Sequence, residues 1–212
     1  MGKMTRIRVK ICGITRPEDG VCAAMAGADA IGLVFYRPSP RAVAITTAEA
    51  ICRALPPFVT RVGLFVDADH YEITTVLNGV ALDMLQFHGN ETPAECEHYA
   101  MPYIKAVRMS EGVDLHEQAA RYSSAAALLV DTYVAGVAGG SGQTFDWDRI
   151  PADLDKPVIL AGGLTPANVL QAVTRVRPYA VDVSGGVESS KGIKDGDLVQ
   201  SFIQQVSAYC HE

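Results

Sequence analysis

Apolar, β-branched runs recur along the chain at residues 8–12, 30–35, 61–66, 82–87, 103–108, 127–131, 157–161 and 180–184. Between most of them lie stretches of helical character: 17–27, 47–55, 70–79, 93–100, 113–122, 147–154, 166–175 and 196–209. Strands alternating with helices predict βαβ units and a parallel sheet. Ala30-Ile31-Gly32-Leu33-Val34-Phe35 and Pro157-Val158-Ile159-Leu160-Ala161 are apolar almost without a break, as strands covered on both faces must be. Eight such units predict a closed α/β barrel, (β/α)8, forming a single domain over residues 1–212. The spacing averages about 26 residues per unit, near the minimum for that fold, and leaves little room for a second domain.

The first unit sets the frame for the chemistry. Val9-Lys10-Ile11-Cys12 stops at Gly13, and Thr15-Arg16-Pro17-Glu18-Asp19 predicts a helix start. Thr15 is the expected cap, Pro17 suits the first turn, and the acids suit the positive helix end. Cys12 thus falls where a strand gives way to a loop, the end at which parallel α/β folds bind ligands. A small buried hydrophobe is the usual fate of a cysteine; this position favours a nucleophile or base.

Two connections break the regular spacing. Tyr36 to Val43 carries two prolines and two arginines. After the sixth run, the loop from Tyr133 to Thr144 contains Gly136, Gly139, Gly140 and Gly142. Its length and glycine content predict a lid over the strand ends.

Composition narrows the function classes. The chain is 49% hydrophobic and 20% charged, an ordinary globular balance. A net charge of -6, a pI near 5.4 and the lack of any basic run argue against nucleic acid as a partner. The five cysteines are scattered without CxxC spacing, so neither a zinc site nor a disulfide framework is expected, which suits a reducing cytoplasm. Residues 1–10 have no signal-peptide core, and no apolar run approaches the roughly 18 residues that span a bilayer. A cytoplasmic protein without membrane association is therefore expected. The sequence leaves monomer and homodimer open.

The polar residues at or just beyond the strand ends form a short inventory: Cys12, Arg41, Asp67, Gln86, His88, Arg108, Asp131, Gly162-Gly163, and Asp182 with Ser184-Gly185-Gly186. The two glycine segments follow the seventh and eighth strands. There, backbone N–H groups approach an anion closely, and these barrels commonly bind phosphate. A short helix starting near Val187 is expected to aim its dipole at the same point. Neither segment has the lysine of a nucleotide-binding loop, which favours a small phosphosugar. Asp131 ends Leu128-Leu129-Val130, where partial burial would raise its pKa and suit it as a general acid; a cap on the next segment is the bland alternative. Arg41 suits bidentate capture of a carboxylate, with Arg37 as its competitor and a solvated loop arginine as the alternative. His88 fits either a ligand contact or a satisfied strand-end histidine.

Read together, several segments resemble the phosphoribosylanthranilate isomerase family of tryptophan biosynthesis. They are Lys10-Ile11-Cys12-Gly13-Ile14-Thr15, Gly27 to Gly32, Phe35-Tyr36 with Ser39-Pro40-Arg41, Val62 to Val66 and Leu85-Gln86-Phe87-His88-Gly89. Further along are Gly139 to Trp147, Leu160 to Leu164 and Val181 to Glu188. The resemblance runs from Val9 to about Asp195, and the order and joint presence of the segments make it specific. It implies a (β/α)8 barrel without cofactor or metal, acting on a small phosphosugar. It implies Cys12 as general base, Asp131 as general acid and Arg41 on the anthranilate carboxylate. By the same resemblance Gly162, Gly163, Ser184, Gly185 and Gly186 cradle the phosphate, and Gln86, His88 and Asp182 line the pocket. Arg37-Pro38 and Gln143 depart from the family pattern and bear on loop mobility. The implied reaction is an Amadori rearrangement of an aminoaldose to an aminoketose.

Rival readings are a pentose-phosphate epimerase, indole-glycerol-phosphate synthase and a non-catalytic phosphosugar-binding protein. The epimerase needs metal ligands on several strand ends, where only His88 is so placed. For the synthase Lys10 and Glu188 exist, but its extra N-terminal segment does not. The binding protein has no use for Cys12 and Asp131 together.

Overall fold

The computed structural model describes residues 6–132 and 145–209. The segment 133–144, on which the expected lid falls, lies outside the described residues, as does Cys210.

The eight apolar runs form the strands of a closed parallel barrel: β1 (Arg8–Cys12), β2 (Ala30–Val34), β3 (Thr60–Phe65), β4 (Met84–Phe87), β5 (Tyr103–Arg108), β6 (Ala127–Asp131), β7 (Val158–Leu160) and β8 (Ala180–Val183). Each strand pairs with its neighbours in sequence, and β8 pairs back onto β1 to close the ring. Closure sets Lys10 opposite Asp182 in the β1–β8 register. The helices are α1 (Pro17–Ala26), α2 (Ile45–Ala54), α3 (His70–Gly79), α4 (Pro93–Glu97), α5 (Leu115–Arg121), α6 (Val169–Val176) and α7 (Gly196–Ala208).

Side chains alternate across each strand, so one set faces the helices and the other the lumen. On β6, Leu128 and Val130 join the large core between barrel and helices, while Ala127 and Leu129 join the lumenal cluster. That lumenal cluster also holds Val62, Ile104, Ala106, Ile159 and Ala161, and it plugs the barrel. The next lumenal positions toward the strand C-termini hold Cys12, Gln86, Asp131 and Asp182 on β1, β4, β6 and β8 and the apolar Val34 and Leu64 on β2 and β3, so the apolar plug forms the floor of the site.

The helix starts are mostly marked by side-chain caps. Asp69, Asp114 and Asp195 each accept from N–H groups of the following turn, and Thr92 forms a reciprocal capping box with Glu95. Such a cap stabilises a helix by about 1 kcal/mol. Helix α1 differs from expectation. Its cap position is Arg16, with no side-chain cap bond, and Thr15 Oγ1 instead donates to Gly192 O at 2.5 Å.

Two further expectations are corrected. Residues 147–154 do not form an α-helix: a single 3-10 turn, Trp147–Arg149, ends at Ile150. Ile150 precedes Pro151, and the residue before proline is driven away from helical geometry. The helix expected near Val187 is a three-residue 3-10 turn, Gly185–Val187. It leads directly into an antiparallel hairpin of β9 (Glu188–Ser190) and β10 (Ile193–Lys194), which the sequence pattern did not indicate. No helix among the described residues is long and apolar enough to cross a membrane.

Candidate active site

A pocket of about 310 Å³ opens at the C-terminal mouth of the barrel. Every residue that the sequence reading assigned to the site lines it: Cys12, Arg41, Gln86, His88, Asp131, Gly162, Gly163, Asp182, Ser184, Gly185 and Gly186. Arg37 does not; it borders an outer groove beside Pro38 and Tyr71. Asp67 and Arg108 also lie outside the pocket. Asp67 accepts from Asn90, and Arg108 donates to the carbonyl of His88 at 2.8 Å, fixing the end of β4.

Cys12 is 5% exposed and stands two residues after Lys10, on the same lumenal face of β1. Lys10 Nζ donates to Asp182 Oδ1 at 2.8 Å, and both side chains are buried. Burial pushes the Cys12 thiol above its ordinary range; the ammonium of Lys10 and, less strongly, that of Lys194 oppose the shift, while Asp182 adds to it. For Lys10, burial alone would favour the neutral amine, but Asp182 and Cys12 reverse this and keep the ammonium charged.

Across the pocket, Asp131 Oδ1 accepts from the N–H of Thr132 at 2.8 Å. Its Oδ2 lies 3.2 Å from His88 Nε2, and His88 Nδ1 lies 3.0 Å from Gln86 Nε2. Gln86 Oε1 is buried without a partner among the described residues. Turning the Gln86 amide end for end would let Oε1 accept from Nδ1–H. The Nε2 lone pair of His88 would then face Asp131 and accept from a protonated carboxyl. The row of three side chains therefore has one arrangement for each state of the acid.

On the β7–β8 side, the chain doubles back at Gly162, with φ at +83°. A Cβ there would overlap the Oγ1 of Thr132, next to Asp131, so only glycine lets this loop lie against the acid. Asn168 holds the loop in place, accepting from Thr165 N–H at 2.8 Å and donating to Gly163 O at 2.9 Å. A Cβ at Gly186 would overlap the carbonyl of Leu164, so the two glycine segments pack backbone to backbone. Ser184 Oγ is buried at the pocket wall without a partner among the described residues.

The Arg41 guanidinium is not free. It forms a two-pronged contact with Glu188, Nε to Oε1 at 2.7 Å and Nη2 to Oε2 at 2.8 Å. Lys194 Nζ, fully buried, donates to the same Oε1 at 2.8 Å and to Ser184 O at 3.1 Å. The hairpin thus locks Arg41 from behind. Of Lys10, Glu188 and Lys194, the sequence pointed to Lys10 and Glu188 only for the rival synthase, and not to Lys194.

A family model described as N-(5'-phosphoribosyl)anthranilate (PRA) isomerase matches residues 9–205. The chain belongs to this isomerase family. A phosphoribosylanthranilate isomerase from Pseudomonas syringae pv. tomato is 63% identical over 203 residues, covering 96% of this chain and 98% of the relative. One from Pseudomonas aeruginosa is 61% identical, with 96% of each chain covered. The crystal structure of the Thermotoga maritima phosphoribosyl anthranilate isomerase superposes with a TM-score of 0.88 at 43% identity, over 95% of this chain and 99% of that one. Another phosphoribosyl anthranilate isomerase, 40% identical with a TM-score of 0.81 and coverage of 95% and 99%, was crystallised with reduced 1-(o-carboxyphenylamino)-1-deoxyribulose 5-phosphate. Among the described residues, no group of three or more His, Cys, Asp or Glu side chains is placed to hold a metal ion.

Proposed function

We propose that the chain converts N-(5'-phosphoribosyl)anthranilate to 1-(2-carboxyphenylamino)-1-deoxyribulose 5-phosphate, with Cys12 as general base and Asp131 as general acid. The observation that carries this reading is one pocket with a thiol and a carboxyl buried on different walls, next to a glycine-lined rim and a locked arginine. Each part of the substrate has a counterpart there. The phosphate suits the backbone of residues 162–163 and 184–186, with Ser184 Oγ as an unused donor. The anthranilate carboxylate suits the face of Arg41 that Glu188 leaves open. The family relative crystallised with a reduced product analogue supports the same assignment of ligand.

The chemistry follows from the two buried groups. Asp131 gives its proton to the furanose ring oxygen while the C1′–O bond breaks. The anthranilate nitrogen supplies the electron pair that makes C1′=N⁺. That cation acidifies the C2′ proton, which the Cys12 thiolate removes. The C–H electrons fall into C1′=C2′ and neutralise the nitrogen. The resulting enolamine tautomerises, the C2′ hydroxyl losing its proton and C1′ gaining one, to give the ketone. The iminium is the electron sink.

The test is direct. Addition of purified protein to phosphoribosylanthranilate should cause the anthranilate fluorescence to fall with turnover. Binding without a fluorescence change would refute the reading.

A further inference from the structure

The mechanism asks a buried thiol to act as an anion, and the pocket must supply a reason for the sulfur to ionise. We propose that Lys10 is the counter-ion of the Cys12 thiolate, a positioning residue that acts through the sulfur, and that Asp182 fixes the ammonium beside it. The inference rests on the reading of Cys12 as the base.

The geometry singles out Lys10 among the charged groups facing the sulfur. Those groups are Lys10 from β1, Asp182 from β8, Lys194 from β10 and Arg41 from the loop after β2. Asp131 and His88 face the same pocket from β6 and the end of β4. Lys194 is engaged by Glu188 and the Ser184 carbonyl, and Arg41 is held by the two oxygens of Glu188. Lys10 gives one N–H to Asp182, and no other oxygen or nitrogen acceptor engages it among the described residues. Two N–H groups of a charged, buried ammonium are left without an oxygen or nitrogen acceptor among the described residues.

Gly32 on β2 shows how closely the two side chains are packed. A Cβ built there would stand 2.7 Å from Cys12 Sγ and 3.2 Å from Lys10 Cε. Sulfur and lysine stem thus share the space that the missing side chain leaves. Charge accounting explains why this matters. Lys10, Asp182 and Cys12 together go from neutral to one negative charge when the thiol ionises. Without Lys10 they would go from one to two, on side chains that are all buried. The thiol remains above its ordinary range even so, so the ammonium keeps the thiolate within reach rather than making it the resting state.

The experiment measures the ionisation itself. The full chain is alkylated with iodoacetamide as a function of pH, and the adduct on the Cys12 peptide is quantified by mass spectrometry, separately from those of the other cysteines. Lys10→Met should move the inflection up by a pH unit or more, a tenfold or greater loss of rate near neutrality. Lys10→Arg, which keeps the cation, should stay near wild type. If Lys10→Met fails to fold because Asp182 is stranded, the double variant Lys10→Met with Asp182→Asn removes both charges. Its inflection should lie above wild type. An inflection unmoved in the folded variant overturns the proposal, since a purely structural lysine would change the melting temperature and not the titration. A shifted inflection with unchanged kcat/KM upholds the pairing and refutes Cys12 as the base.

Discussion

The carboxylate of Glu188 is shared by Arg41 and Lys194, and its replacement by glutamine should be felt in both stability and substrate affinity. All three side chains are largely buried, at 14% exposed for Arg41, 5% for Glu188 and 1% for Lys194. Removing one partner of a buried ion pair costs about 3–5 kcal/mol. Glutamine keeps the volume and one acceptor, so the low end, about 3 kcal/mol, is the expected loss. For a chain of this size each kcal/mol moves the melting temperature by about 2–4 °C, giving a drop of about 6–12 °C at neutral pH. The sign of the pH dependence is also fixed. Burial works to raise the Glu188 pKa, but hydrogen bonds from Arg41 and Lys194 outweigh it and hold the carboxyl below its ordinary value. Its stabilisation is therefore present above the unfolded-state pKa and lost as pH falls through the lower folded value. The gap between wild type and Glu188→Gln should close below about pH 4. With Arg41 released, KM should rise about tenfold while kcat stays within a few fold. Calorimetry at neutral and acid pH, with steady-state fluorescence kinetics, reads all of this. Equal melting temperatures at pH 7 would refute the idea that the hairpin locks the arginine.

Cys12→Ala and Asp131→Asn should each lower kcat by about 10²–10⁴-fold with little change in KM, and near-normal turnover in either would remove that residue from its role. Arg41→Ala should raise KM, by about 1.5–3 kcal/mol of lost carboxylate contact, whereas Arg37→Ala should leave it unchanged; the reverse result would make Arg37 the binding group. Gly32→Ala places a methyl 2.7 Å from Sγ and 3.1 Å from Cys12 Cα; a stability loss of about 1–3 kcal/mol and slower Cys12 alkylation are expected, and unchanged alkylation would show that the sulfur has room to move. Because burial holds the Cys12 thiol above its ordinary range and the thiolate is the working form, kcat/KM should still be rising with pH beyond about 8.5; a plateau at neutral pH would contradict that ionisation order.

Where the sequence was informative, strand ends were the reason. An apolar run that stops at a polar residue marks both the strand and the lumenal mouth position, so Cys12, Asp131 and Asp182 were legible from three short segments. Glycines after the last two strands were legible because few side chains fit where two backbones meet, as Gly162 and Gly186 demonstrate. Lys10 was present in the same segment as Cys12, but its meaning depends on Asp182, 172 residues away. Glu188 and Lys194 lie in a polar stretch without a hydrophobic period, and the hairpin they form shows only in the turn at Gly192. The 3-10 turn after Asp146 shows the opposite error, an amphipathic stretch cut short by Pro151.

The meeting of β1 and β8 also orders events during synthesis. Cys12 and Lys10 leave the ribosome early, and Asp182 follows only after six further strands have been made. Until then the thiol has neither the wall of β8 nor its completed surroundings, and it is as open to oxidants and alkylating agents as any unfolded cysteine. Its reactivity is thus a clock for closure: a reagent pulsed during translation should label Cys12 until the eighth strand docks, and only slowly thereafter. A chain whose ends are joined and reopened between other strands would bring the seam together earlier and shorten that interval.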